Sequence, residues 1–170
     1  MKKYCAFLRG INVGGNRTIK MQEVKEILQK IPLHNIQTIL ASGNVYFESN
    51  EKDTSILEKK IKTVLDVEVL VRSEEEILNL IQRSPFENTS IADQKFYVSF
   101  LGEKNSDFSL HKQKGFETLY VSEKEVCSTI SLSKEMGTTE AMKILEKMYG
   151  KNITTRNWNT IQKLSKLLKN

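Results

Sequence analysis

A chain of 170 residues with 39% hydrophobic and 28% charged residues can bury a core, which argues against a disordered protein. The net charge of +5 is modest, and no apolar run approaches the ~18 residues of a membrane-spanning helix. The apolar run Tyr4–Leu8 is too short for the core of a signal peptide. We therefore expect a soluble cytoplasmic protein with one compact domain or two small ones.

The first 72 residues alternate between strand and helix patterns. Strands are predicted at Tyr4–Arg9, Ile36–Ala41, Val45–Ser49 and Val67–Arg72, and helices at Met21–Ile31 and from a capping box at Ser55–Glu58 to Leu65. The order β-α-β-β-α-β is that of the ferredoxin-like fold, in which two helices cover one face of an antiparallel sheet. Residues 1–72 are therefore predicted to form a ferredoxin-like α+β subdomain.

Residues 73–170 are predicted to form a second, smaller α+β subdomain that ends in two helices. Its predicted elements are a helix opened by a capping box at Ser73–Glu76, strands at Lys95–Leu101, Glu117–Val121 and Glu125–Ser131, a weak helix near Asp107–Lys114, a helix capped by Thr138 or Thr139 and ended by Gly150, and a last helix at Asn157–Leu168. Thr155 or Asn157 is expected to cap the last helix, and Trp158 has the phase to pack inside.

Histidine and cysteine, which supply many catalytic and metal sites, occur only twice each. Cys5 and Cys127 both lie in strand-like runs, where buried reduced thiols are the expected state. His34 and His111 stand near no recognisable nucleophile motif and form no cluster at ligand spacing. The sequence therefore predicts no catalytic residue, no metal site and no cofactor.

A glycine-rich turn follows the first strand. Gly10 and Gly15 have the spacing of a phosphate-binding P-loop, but Asn16-Arg17 replaces the lysine and hydroxyl residue that such a loop needs. Backbone N–H groups in a glycine turn can still point at an anion, and neighbouring arginines add charge. The alternative is a tight turn with no ligand. The candidate ligand-binding residues are Arg9, Gly10, Asn12, Gly14, Gly15 and Arg17.

Ser42, Gly43 and Asn44 separate two strand patterns and predict a tight hairpin, and they are added to the candidate ligand-binding set. The aromatic pair Tyr46 and Phe47 follows, and it faintly resembles the third-strand motif of RNA-recognition domains. Alternation points the two rings to opposite faces, which favours a role in the hairpin and the core.

Arg156, Asn157 and Asn159 surround the predicted start of the last helix, where free N–H groups favour an anion. They complete the candidate ligand-binding set, although an elaborate helix cap would explain them equally well. From Lys143 to the end, seven basic residues face the single acid Glu146, which leaves 19 basic and 20 acidic residues elsewhere. This basic C-terminal segment suggests a polyanionic partner or simply a solvated surface.

Four motifs resemble, in order, the hallmarks of a bacterial family known as domain of unknown function 1697: Leu8-Arg9-Gly10-Ile11-Asn12-Val13-Gly14-Gly15, Ser42-Gly43-Asn44-Val45, Ser84-Pro85-Phe86 and Thr155-Arg156-Asn157-Trp158-Asn159-Thr160. The resemblance covers essentially the whole chain. It implies a two-part α+β fold and a bacterial cytoplasmic protein, and it implies no particular reaction. One departure is that Ser133-Lys134-Glu135-Met136 stands where similar members carry Ser-Lys-Leu-Thr.

These observations favour a binding protein for a phosphate-bearing ligand or nucleic acid, held in a cleft between the two subdomains. The candidate arginines would grip phosphate in a bidentate manner, and the candidate asparagines would add hydrogen bonds. The alternatives are an enzyme that acts on a small phosphorylated substrate through positioning, and a non-catalytic interaction scaffold. No membrane partner is expected.

Overall fold

The computed structural model describes residues 1–11, 18–87, 89, 94–131, 133 and 136–169. Contacts group the chain into two compact units, one formed by Met1–Asn79 with Lys163–Asn170 and the other by Leu80–Gln162. The predicted boundary between the two subdomains, between residues 72 and 73, stays a prediction. No helix in the described ranges is both long enough and apolar enough to cross a membrane.

The first unit contains the predicted ferredoxin-like fold. Its elements are β1 (Lys2–Leu8), α1 (Met21–Leu28), β2 (His34–Ile39), β3 (Asn44–Ser49), α2 (Thr54–Leu65) and β4 (Val69–Ser73). The sheet order is β2-β3-β1-β4, and every neighbouring pair is antiparallel. This is the strand order that a β-α-β-β-α-β chain adopts when its two helices lie on one sheet face.

The core of the first unit lies between its sheet and its two helices. It joins the helix stripes of Val24, Leu28, Leu57, Ile61 and Leu65 to strand residues that include Ala6, Leu8, Val45, Phe47 and Val71. Helix α1 ends at Leu28, earlier than the predicted Ile31. Proline disfavours helical backbone in the residue before it, so the approach to Pro32 unwinds the last predicted turn.

The cap of α2 differs from the predicted capping box. The helix begins at Thr54, and the carboxylate of Asp53 accepts the N–H of Ser55 at 2.8 Å. Glu58 does not close a box with Ser55, because its Oε1 accepts the N–H of Val71 on β4 at 2.7 Å. The prediction was wrong because Asp53 and Ser55 are both possible caps just before the same apolar stripe. Glu58, the second member of the predicted box, bonds to β4 instead.

Tyr46 and Phe47 are both buried, at 4% and 0% exposure. Phe47 stacks on Tyr4 with the ring centroids 5.6 Å apart, and the Tyr46 hydroxyl donates to Glu48 at 2.7 Å. Neither ring is open to stack on a base, so the predicted role of these residues in hairpin and core is confirmed.

The chain continues through α3 (Glu74–Gln82), β5 (Gln94–Leu101), β6 (Lys112–Gln113), β7 (Phe116–Val121), β8 (Glu125–Ser131), α4 (Thr138–Tyr149), β9 (Ile153–Asn157) and α5 (Trp158–Leu168). The sheet of the second unit has the order β6-β7-β8-β5-β9. Its core packs Leu101, Phe116, Val126 and Ile130 against Ala141 and Leu145 of α4. The α+β class predicted for this half is confirmed.

Three local predictions for this half were right, and each rested on a cap or a turn. Ser73 and Glu76 form the predicted capping box, in which Glu76 N–H donates to Ser73 Oγ at 3.2 Å and Ser73 N–H donates to Glu76 Oε2 at 2.8 Å. Gly150 ends α4 with φ +87° and donates its N–H to Glu146 O. Ser122 closes the short turn between the predicted strands Glu117–Val121 and Glu125–Ser131 by donating its N–H to Glu125 O.

Two other local predictions were wrong, and one strand was missed. Residues 107–111 form no helix, because Asp107 and Asn105 accept nearby backbone N–H groups and so compete with helical bonds. Strand β9 was not predicted; residues 154–157 belong to it and pair with β5, which suits the β-branched threonines, so Thr155 is not the cap of the last helix. Helix α4 is capped at Gly137, whose N–H donates to Glu140 Oε2 at 3.1 Å, and not by Thr138 or Thr139.

Candidate functional site

The described part of the glycine turn continues directly from β1. Arg9 donates its backbone N–H to Glu68 O at 2.8 Å, and Gly10 is exposed with φ +70°. The remaining predicted ligand residues of this turn lie outside the described residues: Asn12, Gly14, Gly15 and Arg17. The role of this turn in ligand binding stays a prediction.

The hairpin residues Ser42, Gly43 and Asn44 lie beside that turn. Gly43 O accepts the N–H of Leu8 at 2.8 Å, and a Cβ at Gly43 would stand 2.8 Å from Ile11 Cδ1. Asn44 is fully buried, and its Nδ2 donates to Ile39 O and to Ser42 Oγ, both at 3.0 Å. In the described residues the two predicted segments are therefore adjacent, and these contacts stabilise the turn.

Arg156 lies on β9 in the second unit. Its Nη1 donates to Thr154 Oγ1 at 2.8 Å and to Thr155 O at 2.9 Å. The residue keeps partial exposure, but its guanidinium lies among so many protein atoms that burial lowers its pKa to about 10. The group remains charged at neutral pH and is held against its own strand.

A pocket in the second unit lies at the junction of β9 and α5. Its volume is about 810 Å³. It is lined by Ile81, Ser84, Phe86, Glu87, Gln94, Lys95, Phe96, Tyr97, Asn157, Trp158, Asn159 and Gln162. We call it the aromatic pocket, because Phe86 contacts both Phe96 and Trp158, at centroid distances of 4.9 and 5.1 Å.

Local backbone features explain why this pocket exists. Strand β9 ends at Asn157, opposite Tyr97, so residues 94–96 of β5 extend beyond their partner on that side. After α3, Ser84 adopts φ +46° and turns the chain so that Phe86 reaches the start of β5. Phe86 thus packs tilted against Phe96 and edge-on against Trp158, beside a gap that neither strand nor helix fills.

Trp158 is the first residue of α5 and packs edge-on against Phe86 with an interplanar angle of 69°. It keeps part of its surface exposed, so the predicted inward packing is only partial. Phe96 is likewise partly exposed, whereas Phe86 is 8% exposed. Two ring surfaces therefore remain accessible above a buried third ring.

Amide side chains surround the rings. Asn157 Oδ1 accepts the backbone N–H of Asn159 at 2.9 Å, which confirms the predicted capping role of Asn157. The Oε1 of Gln94 is buried, and no hydrogen-bond donor reaches it within the described chain. Lys95 and Glu87, both exposed, are the charged side chains among the described lining residues.

Sequence reasoning found Asn157 and Asn159 but missed Phe86, Gln94, Lys95 and Phe96. Phenylalanines in strand-like or turn-like runs are ordinarily core residues, so their residue type alone did not indicate a binding site. The one available signal was Ser84-Pro85-Phe86, one of the four family motifs in the sequence, which was not included in the candidate ligand-binding set.

The first unit has a pocket of its own, of about 620 Å³. Lys3, Lys25, Asn35, Tyr46 and Glu48 are among its lining residues. Hydrogen bonds from Tyr46 and Asn35 lower the pKa of the Glu48 carboxyl. The pocket presents one aromatic residue among its described lining, and that residue's hydroxyl is already bound to Glu48. It therefore offers an organic ligand fewer aromatic side chains than the aromatic pocket does.

Comparison with solved structures shows a shared fold. The structure of the conserved bacterial protein SP0830 from Streptococcus pneumoniae is similar over 98% of each chain, with a TM-score of 0.72 and 19% sequence identity. An unknown protein from Galdieria sulphuraria aligns over 92% of this chain and 98% of that one, at 10% identity and a TM-score of 0.28, which is too low to indicate a shared fold. No curated protein matches the chain significantly.

The sequence also matches a family model. The matched region is residues 1–127, which contain the glycine turn, the Ser42–Asn44 hairpin and the phenylalanines of the aromatic pocket. The model describes a protein of unknown function (DUF1697). The chain therefore belongs to the DUF1697 family.

Proposed function

We propose that this protein binds a ligand that carries a nucleobase and a phosphate, with the base in the aromatic pocket. The observation that supports this most strongly is the set of three contacting rings, two of them partly exposed, beside side-chain amides. Flat rings and amides together recognise a flat heterocycle with polar edges.

The energetics favour stacking as the main source of affinity. A base stacked on an aromatic side chain gains about 1–3 kcal/mol. Phe96 and Trp158 each contact Phe86, which holds them in place, so little side-chain entropy is lost when a ligand binds. A single base held this way reaches modest affinity, and a phosphate contact adds to it.

Lys95 supplies the charge for that contact. It is exposed and lines the pocket. Glu87 lines the same pocket with the opposite charge, so the phosphate is expected on the Lys95 side. A free nucleotide and a single-stranded nucleic acid offer the same base and phosphate chemistry, and both are tested below. Arg9 and Arg156, which were predicted to bind phosphate, are not among the lining residues of this pocket.

The test is isothermal titration calorimetry of the full chain with nucleoside monophosphates and with short single-stranded oligonucleotides. We compare the wild type with Phe96→Leu, which keeps apolar volume but removes a ring. Phe108→Leu is the matched control, because Phe108 is 54% exposed in a loop and lines no part of the pocket.

We expect Phe96→Leu to weaken binding by at least about fivefold and Phe108→Leu to leave it unchanged. Affinity that rises with oligonucleotide length and falls steeply with salt would identify a strand as the ligand. Saturation by a mononucleotide with a shallow salt dependence would identify a free nucleotide. Failure of every nucleotide and oligonucleotide to bind, or equal binding by the two variants, would overturn the proposal.

A further inference from the structure

The side-chain amide of Asn157 is fixed in one orientation. Its Oδ1 accepts the N–H of Asn159 at 2.9 Å, and an amide nitrogen could not replace that oxygen because two donors would face each other. The capping bond therefore assigns which end of the amide is oxygen and which is nitrogen, an assignment that is often ambiguous for asparagine.

The other end of the amide is available to a ligand. Asn157 lines the aromatic pocket, and its Nδ2 donates to no acceptor among the residues that the structure describes. Backbone pairing with Tyr97 and the start of α5 at Trp158 hold the residue from both sides. The result is a hydrogen-bond donor of fixed direction beside partly exposed rings.

We infer that Asn157 determines which base edge the pocket accepts, by donating Nδ2–H to an exocyclic carbonyl oxygen of the base. This inference rests on the proposed function. A base with an amino group at the same place would set donor against donor and leave the amide nitrogen unpaired. Sites built on one hydrogen bond discriminate against ligands that leave a buried polar group unpaired.

Asn157→Asp separates this role from the structural one. Aspartate keeps an oxygen in the capping position, and its charge is favourable at a helix N-terminus, so the cap survives. The second atom changes from a donor to an acceptor with almost no change in shape. A purely structural residue would tolerate this exchange with no effect on ligand preference.

The measurement is the ratio of dissociation constants within two matched pairs of ligands. Inosine and adenosine monophosphate differ on one ring edge, where a carbonyl oxygen beside a ring N–H is replaced by an amino group beside an unprotonated ring nitrogen. Uridine and cytidine monophosphate differ in the same way. Both members of a pair carry the same phosphate, so the added negative charge of aspartate cancels in the ratio. Gln113→Glu is the charge control, since Gln113 is exposed in the second unit and lines no part of the pocket.

We expect wild type and Gln113→Glu to prefer the carbonyl member of at least one pair by about fivefold or more. In Asn157→Asp that preference reverses, and the melting temperature does not fall. An unchanged ratio, or equal loss of both members, would overturn the inference while the pocket itself stands. If neither a monophosphate nor a short oligonucleotide binds the wild type, both the inference and the proposed function fail.

Discussion

Gly43→Ala is expected to destabilise the first unit strongly. Gly43 has φ +78°, and a left-handed backbone costs a residue with a Cβ about 1–2 kcal/mol. The new Cβ would also stand 2.8 Å from Ile11 Cδ1 and 3.0 Å from Leu8 Cβ. Ile11 is 1% exposed and Leu8 is 2% exposed, so neither can move aside freely. Crowding of this kind adds about 1–3 kcal/mol, for a total of about 2–5 kcal/mol.

The chain provides a matched control in Gly10→Ala. Gly10 has a similar φ of +70°, but a Cβ there would meet nothing within 4 Å among the described atoms. That variant should lose only the stability that the left-handed backbone costs a residue with a Cβ, about 1–2 kcal/mol. The difference between the two variants therefore measures the close approach of Gly43 to the end of β1.

Urea denaturation followed by circular dichroism gives the free energy of unfolding of each variant. The m-value should stay constant, since neither change alters the surface exposed on unfolding. Equal losses in the two variants would show that Gly43 is not crowded. A Gly43→Ala protein as stable as the wild type would refute both the φ and the contact argument.

Three further predictions concern stability and reactivity. A side-chain hydrogen bond from Ser55, followed by backbone bonds, lowers the pKa of Asp53, so its stabilisation is present at neutral pH and lost as acid protonates it. The difference in melting temperature between wild type and Asp53→Ala should therefore shrink at acidic pH, and a constant difference would contradict the cap. Glu58→Ala should cost about 1–3 kcal/mol by removing the acceptor of a buried β4 N–H, whereas Glu58→Gln should retain most stability in the same denaturation assay. Burial raises the thiol pKa of Cys5 and Cys127, so a thiol reagent should label neither until the protein unfolds, and rapid labelling of native protein would refute their burial.

Predictions from sequence succeeded where the determining interactions are local. The ferredoxin-like half was predictable because apolar periodicity and short turns fix its element order. Asn157 could be identified as a cap because a cap needs only the next two residues. The Asp53 cap was missed because Glu58 serves β4, which is distant in sequence.

Strand β9 and the aromatic pocket depend on non-local contacts. Thr154–Asn157 forms a strand only because β5, more than 50 residues earlier, pairs with it. The pocket opens because β9 stops at Asn157 while β5 continues past it, and no local pattern records that mismatch. Phe86 and Phe96 therefore could not be distinguished from core residues by sequence alone.

Trp158 makes the central claim directly measurable. It is the single tryptophan of the chain, and it forms one wall of the aromatic pocket. With excitation selective for tryptophan, titration with a nucleoside monophosphate should quench or shift its emission in a saturable manner. We predict a midpoint equal to the dissociation constant from calorimetry. Calorimetric binding with unchanged tryptophan emission would place the ligand elsewhere and contradict the account.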